Sequence, residues 1–421
     1  MPVRAVPLLQ RETMQANIRR YYLYNFFLNL QLWWPIWIIY LKEERGLSQT
    51  QVTLIDVPFW LSIVLLQIPG AALADRWGRR PALIASGCCF ALAITLFGLA
   101  SSFPLLLLSY LVWGVAFSLF NGTESAFIYD TLKAMGREEE YQRIYGRTWA
   151  LNMVAAVMGT LIGAPLADAT SLPFPIVLSG AIAGLAAVTA LTFREPPRGE
   201  GPVSHLSYAA VIRQSAQIVR RQAAVRYAIL FVGVVAVGSI GPIFFFQPFL
   251  VEHGVDTREV GLWQTPMRIA AIFGALAAHR VTRELGDRGT FYLMPVVLVL
   301  SYLLLAIWGS LYAQAAFLSL YFVMVMSQPV LTDYVNRRVP SEQRATVVSL
   351  TNLARAFVLI PSAPLMGLLA DNVSNTAPFW AGAILVVAMS LPLLLLWGPL
   401  MRREAPAEPA LTEAAGVAGG D

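Results

Sequence analysis

Twelve windows of about 20 apolar residues divide this chain, each long enough to cross the hydrocarbon core of a bilayer as a helix. They fall near 21–41, 51–74, 81–100, 104–132, 142–167 and 173–193, then near 225–251, 257–279, 290–309, 313–336, 344–370 and 376–400. Lipid offers the backbone no hydrogen-bond partner, so spans of this kind must bond to themselves. The expected fold class is therefore an all-α membrane protein. Composition agrees: the chain is 57% hydrophobic and 13% charged, whereas soluble domains carry about 25% charged residues. Disulfide scaffolds are excluded, since the 2 cysteines, Cys88 and Cys89, are adjacent and read as apolar packing. The net charge of +5 fits basic loops at a membrane surface better than a nucleic-acid partner.

An even number of spans returns both termini to one side. Of the 30 Lys and Arg residues, 25 lie in the termini, the loops after even-numbered spans or the span ends adjoining them, and 3 in or beside the loops after odd-numbered ones. The positive-inside rule then predicts a multi-pass protein of the cell membrane with cytoplasmic N- and C-termini. Residues 1–20, with Arg4, Arg11, Arg19 and Arg20, read as a cytoplasmic segment without a cleavable signal peptide.

The polar stretch 195–223 is the longest between spans. It separates a six-helix bundle over 21–194 from a second over 224–400, with 401–421 left as a disordered cytoplasmic tail. Tyr208 to Arg221 has the pattern of a short helix on the membrane surface. The halves also match at an offset of 208: Glu44-Arg45-Gly46-Leu47-Ser48 aligns with Glu252-His253-Gly254-Val255-Asp256, and Pro58, Gly78 and Arg80 meet Pro266, Gly286 and Arg288. The glycines suit sharp turns, and Ser48 and Asp256 suit helix N-caps. A duplicated six-span unit in parallel orientation suits a rocking transporter whose site lies between the halves near mid-bilayer.

Between the second and third spans the sequence reads Leu73-Ala74-Asp75-Arg76-Trp77-Gly78-Arg79-Arg80. This resembles the signature loop of the major facilitator superfamily, with Ala71 where that loop begins with Gly. The resemblance implies two six-helix bundles related by a pseudo-twofold axis along the membrane normal. It also implies a conformational latch formed by Asp75, Arg76, Gly78, Arg79 and Arg80. Asp75 has Arg283 as its counterpart in the second half, so any matching latch there is rewired. The antiporter elements of the family are only partly present: Asn121-Gly122 and Ser118 replace a Gln-Gly pair and an Arg, and span five keeps only Gly159-x-x-x-Gly163-Ala164-Pro165.

Ionisable side chains at membrane depth cost at least about 2.5–3.5 kcal/mol each, so each calls for a role. Asp56, Glu124, Arg268 and Arg355 qualify, the acids in the first half and the bases in the second. One reading is a substrate site in which either arginine holds an anionic group, with Glu124 or Asp56 carrying the coupling proton. The other is a set of ion pairs between the halves that only fix packing. Polar neighbours at helical spacing extend the candidate substrate site to Asn29, Gln264 and Asn352. For Gln247 and Gln328, a role as interhelical glue is favoured. Trp33, Trp34 and Trp37 suit interface anchoring, but adjacent Trp33 and Trp34 must face different ways, which leaves one to line a cavity.

No catalytic signature, metal-ligand spacing or phosphate loop occurs in the sequence, so neither an enzyme nor a cofactor is expected. The leading expectation is a monomeric secondary transporter working by alternating access, exporting a small organic compound with protons. The alternatives are uptake of an anionic metabolite and a non-transporting or lipid-handling protein on the same fold.

Overall fold

The computed structural model describes residues 8–197, 213, 217–339 and 341–402, and within them every regular element is helical. The expected tail beyond Arg402 and most of the expected surface helix over 208–221 lie outside the described residues.

Among the described residues, ten helical stretches are long and apolar enough to cross a membrane, fewer than the twelve windows in the sequence. Two departures explain the difference. The helix Thr257–Ile307 runs for 51 residues across two windows and bends at Gly286, where φ is 67°. The first window is interrupted. Its helix α1 (Leu8–Asn29) ends before a turn containing Pro35, and the chain resumes only as Trp37–Ile39 and a π-turn over Tyr40–Glu44.

The repeat is visible in the backbone. Gly46 and Gly254 adopt φ of 64° and 77°, and Gly78 and Gly286 adopt 117° and 67°. Each pair is related by the offset of 208, and each sits where a side chain would be strained. Beyond the first pair, Ser48 forms a capping box with Gln51, and the Asp256 carboxylate accepts from the Arg258 N–H at 3.0 Å. Both expected N-caps are present.

The seventh window repeats the interruption of the first. Helix Ala223–Ile240 passes through a π-turn at Gly241–Phe245, which includes Pro242, and resumes as Phe246–Glu252. Proline removes a backbone donor and clashes with the preceding turn, which accounts for both breaks. The fourth window is likewise two helices, Phe103–Phe120 and Thr123–Met135, separated at Gly122 with φ of 82°.

Two sets of helix contacts form most of the joint between the halves. Tyr141–Ala169 packs on Thr257–Ile307, and Gln49–Leu54 with Val57–Trp77 packs on Ser341–Asn372. Small residues permit the approach: a Cβ on Gly261 would lie 2.2 Å from the Thr160 carbonyl oxygen, and one on Gly367 would lie 2.5 Å from Thr53 Oγ1. Large apolar side chains such as Leu276, Ile307 and Leu395 are exposed on the outside, where a bilayer would cover them. Cys88 also lies exposed rather than packed inside, and both cysteines are free. The cause is position on the helix: Ser86, Gly87 and Phe90 take the buried places around it.

Candidate functional site

The two interrupted helices meet. In a regular helix the Ile38 N–H would bond the Trp34 carbonyl four residues back. Instead the Gln247 carboxamide is inserted between them, its Oε1 accepting from Ile38 N–H at 3.0 Å and its Nε2 donating to the Trp34 carbonyl at 2.9 Å. One side chain of the second half thus satisfies both backbone groups opened by the break in the first. Gln49 returns a bond in the other direction, its Nε2 donating to the Phe244 carbonyl within the second π-turn at 2.9 Å.

Beside this junction Trp33 and Trp34 diverge, as adjacent residues must. Trp33 turns into the first half against Trp113, with ring centroids 5.2 Å apart, and is 2% exposed. Trp34 turns toward the second half, where the Arg268 guanidinium lies 5.2 Å from its ring centroid. Arg268 Nη1 also donates to the Tyr321 hydroxyl at 3.2 Å. Gln264, one turn before Arg268, is buried, and its Oε1 has no hydrogen-bond partner. Trp34, Gln264, Arg268 and Tyr321 therefore form an aromatic, singly cationic patch contributed by both halves at a helix break. Such a patch can stack a ring and hold an electron-rich or anionic group.

The other expected residues are dispersed. Glu124 opens the second helix of the fourth span, 9% exposed, and accepts hydrogen bonds from the Tyr21 hydroxyl and, at 3.4 Å, from the Tyr145 hydroxyl. No cation pairs with it among the described residues. Asp56 accepts from Trp60 Nε1 at 2.6 Å, within its own helix. Asn29 donates to the Asn25 carbonyl at 2.8 Å, on the first helix. Arg355 and Asn352 line a different cavity, bounded by the seventh, tenth and eleventh spans, which does not include Arg268. Ion pairs between the two acids and two bases are thus absent among the described residues.

At the face that the Lys and Arg distribution assigns to the cytoplasm, Gly78 ends one helix and Arg79 begins the next. The backbone N–H groups of Arg79 and Arg80 both donate to the Glu195 carboxylate at 2.7 Å, an anion on a helix N-terminus. The Arg79 side chain lies 3.6 Å from Asp130. In the second half Asp287 pairs with Arg337 and Arg338 at 2.7 and 2.8 Å. Arg79 and Asp287 correspond in the repeat, as do Asp130 and Arg338. The ion pair is kept and its polarity reversed. Arg76 is exposed, and the side chain of Asp75 lies outside the described ones.

At the opposite face Asp371 closes the joint between the halves. Its carboxylate accepts from the N–H groups of Gln49 and Thr50 at 2.9 and 2.8 Å and from the Thr50 hydroxyl at 2.6 Å. It thereby caps a helix of the first half from the end of a helix of the second. The polar contacts described above between the halves run from the Trp34 level to this face. Toward the other face Gln328, Thr332 and Asn336 form an exposed polar stripe at four-residue spacing. A cavity of about 630 Å³ lies there as well, lined by Arg283, Asp287, Asp333 and Arg337 among others.

Residues 25–363 match the family model described as Major Facilitator Superfamily. The chain belongs to that superfamily. Among curated relatives, the uncharacterized MFS-type transporter YxaM of Bacillus subtilis is 20% identical over 375 residues, covering 86% of this chain and 90% of its own length. Multidrug resistance protein 1 of the same organism is 23% identical over 370 residues, covering 85% and 90%. Among solved structures, the nucleoside transporter NupG superposes with a TM-score of 0.73 at 12% identity, covering 90% of this chain and 99% of its own. A bacterial homolog of the human lysosomal transporter Spinster, inward-facing and occupied, gives 0.68 at 16% identity, covering 92% and 97%. At these identities the structures speak for the fold alone. This superfamily member is thus a multi-pass membrane transporter with the all-α, two-bundle architecture expected from its sequence.

Residues with no part in the sequence expectations include Tyr21, Tyr145, Tyr321, Gln49, Glu195 and Asp371. Asp371 had one visible signal, its place in the Leu369-Ala370-Asp371 echo of Leu166-Ala167-Asp168. The tyrosines had none, since a phenol in an apolar span reads as core.

Proposed function

We propose that this protein exports a small organic compound in exchange for protons, by alternating access, as a monomer in the cell membrane with both termini in the cytoplasm. The observation that carries the reading is the patch of Trp34, Gln264, Arg268 and Tyr321, assembled from both halves where the first and seventh spans are broken. A patch split between two rocking bodies changes geometry whenever they move, so a bound ring senses the conformational cycle. Glu124, shielded among phenols and free of a cation, carries the coupling proton. Asp371 holds the outer face shut on the end of helix Gln49–Leu54. Asp75, at the other end of the same packed pair of helices, latches the inner face when the outer one opens, with Arg76, Gly78, Arg79 and Arg80 shaping that loop. Import of an anionic metabolite is the second reading, favoured by two intramembrane arginines without a carboxylate partner among the described residues.

The test is flux in proteoliposomes across an imposed pH gradient, with fluorescent aromatic compounds as probes. Gradient-driven efflux is expected for the wild type and its loss for Glu124→Gln, with counterflow exchange retained. Gradient-driven flux that is unchanged in Glu124→Gln removes the carboxyl from the coupling step.

A further inference from the structure

Of the two arginines at membrane depth, Arg268 has an aromatic face and a phenol as partners. Arg355 has neither. It lines a cavity of about 80 Å³ whose other polar walls are Gln328, Thr332 and Asn336 on one helix and Thr351 and Asn352 on its own. Its Nε is buried and without a hydrogen-bond partner. Among the described residues, no carboxylate lines the cavity and none pairs with the guanidinium. Arginine stays charged at any physiological pH, so the cavity holds a fixed, uncompensated positive charge ringed by neutral amide and hydroxyl groups. The side chain is half-buried with its Nε enclosed, so the charge is open to an anion that enters the cavity.

We propose that this cavity is an anion site that takes a monovalent group the size of a carboxylate or halide. One guanidinium supplies one charge, which suits a monoanion better than a dianion. Its planar fork matches a carboxylate in two parallel hydrogen bonds, and the amides of Gln328 and Asn352 supply further N–H donors. A cavity of about 80 Å³ has room for an anionic head of carboxylate or halide size. Gln328, Thr332 and Asn336, which line the cavity, are also exposed along the stripe toward the inner face. On the shared helix, Gln328 stands seven residues from Tyr321, which is about 10 Å of helix. The anion site is therefore separate from the Trp34–Arg268 patch and nearer the cytoplasm. Its meaning for substrate class rests on the transport reading, giving either an organic acid whose carboxylate docks here or a free anion that travels with the substrate. The anion binding itself does not rest on that reading.

The experiment is thermal unfolding of the purified full-length protein in detergent, titrated with sodium chloride or sodium acetate against sodium gluconate at constant ionic strength. A saturable rise in Tm is expected for the wild type and for Arg268→Gln, and its absence for Arg355→Gln. In anion-poor buffer Arg355→Gln should unfold no earlier than the wild type, because it removes an uncompensated charge. Should Arg355→Gln fail to fold, Arg355→Lys and Asn352→Leu carry the test, each weakening the apparent anion affinity about tenfold while the protein stays folded. Response to chloride alone supports a free ion, response to acetate alone supports the head of an organic acid, and response to both supports a general monoanion site. No saturable rise in the wild type, or the same rise in folded Arg355→Gln, overturns the proposal. Loss of flux with intact anion binding would instead count against the transport reading.

Discussion

A cation over an aromatic face contributes about 0.5–2 kcal/mol, rising as water is excluded. Trp34 and Arg268 are both partly buried, which places their contact within that range. A ligand ring packed against the indole gains about 0.5–1.5 kcal/mol, so Trp34→Ala should weaken binding of an aromatic ligand by about 2- to 12-fold, while Trp34→Phe keeps most of the affinity. Isothermal titration calorimetry on purified protein measures both. Equal losses for the two variants would mean that the indole contributes shape rather than its π-face. Tyr21→Phe removes a hydroxyl that donates to Glu124 and leaves the carboxyl in place. It should shift the pH dependence of flux without abolishing flux, whereas Glu124→Gln removes the dependence. Measurement of initial rates against pH separates the two outcomes.

At the scale of elements, the first and seventh spans explain one another. Each loses helical bonds at a proline, and Gln247 and Gln49 satisfy the backbone groups left open on the opposite side. A buried hydrogen bond contributes about 0.5–1.5 kcal/mol net, so Gln247→Leu should destabilise the joined face by about 1–3 kcal/mol. Increased labelling of a cysteine placed at Trp37 by a membrane-impermeant maleimide, in a Cys88→Ala/Cys89→Ala background, would report it; unchanged labelling would contradict it. At the other face, the pair Arg79–Asp130 and its reversed counterpart Asp287–Arg338 are partly exposed, where an ion pair is worth about 0–1 kcal/mol. The exchange Arg79→Asp with Asp130→Arg should accordingly restore the thermal stability lost in either single variant. A double variant no more stable than the singles would argue against the pairing. Much of this level could be read in the sequence. Hydropathy marked the helices, and the offset of 208 paired the turn glycines. What fills a break could not be read, because Gln247 and Ile38, or Asp371 and Gln49, meet only through the packing of the two halves. For the same reason Arg268 and Arg355, alike in sequence as cations inside spans, differ in setting, Arg268 at the Trp34 ring and Arg355 lining a cavity without it.

Among the described residues of the whole molecule, polar contacts join one face, and an exposed polar stripe runs toward the other. The joint depends on close approach at Gly261 and Gly367 and on the Asp371 cap. The central claim is that this joint opens and closes as the substrate site turns from one side to the other. Spin labels at Glu43 and Asn375, exposed residues of the two halves at the joined face, test it by pulsed dipolar distance measurement in nanodiscs. Two populations are predicted, a short distance for the closed joint and a longer one for the open joint. Asp371→Ala and Gly367→Leu should each transfer population from the short to the long distance. A single short distance that neither variant disturbs would contradict alternating access through this joint.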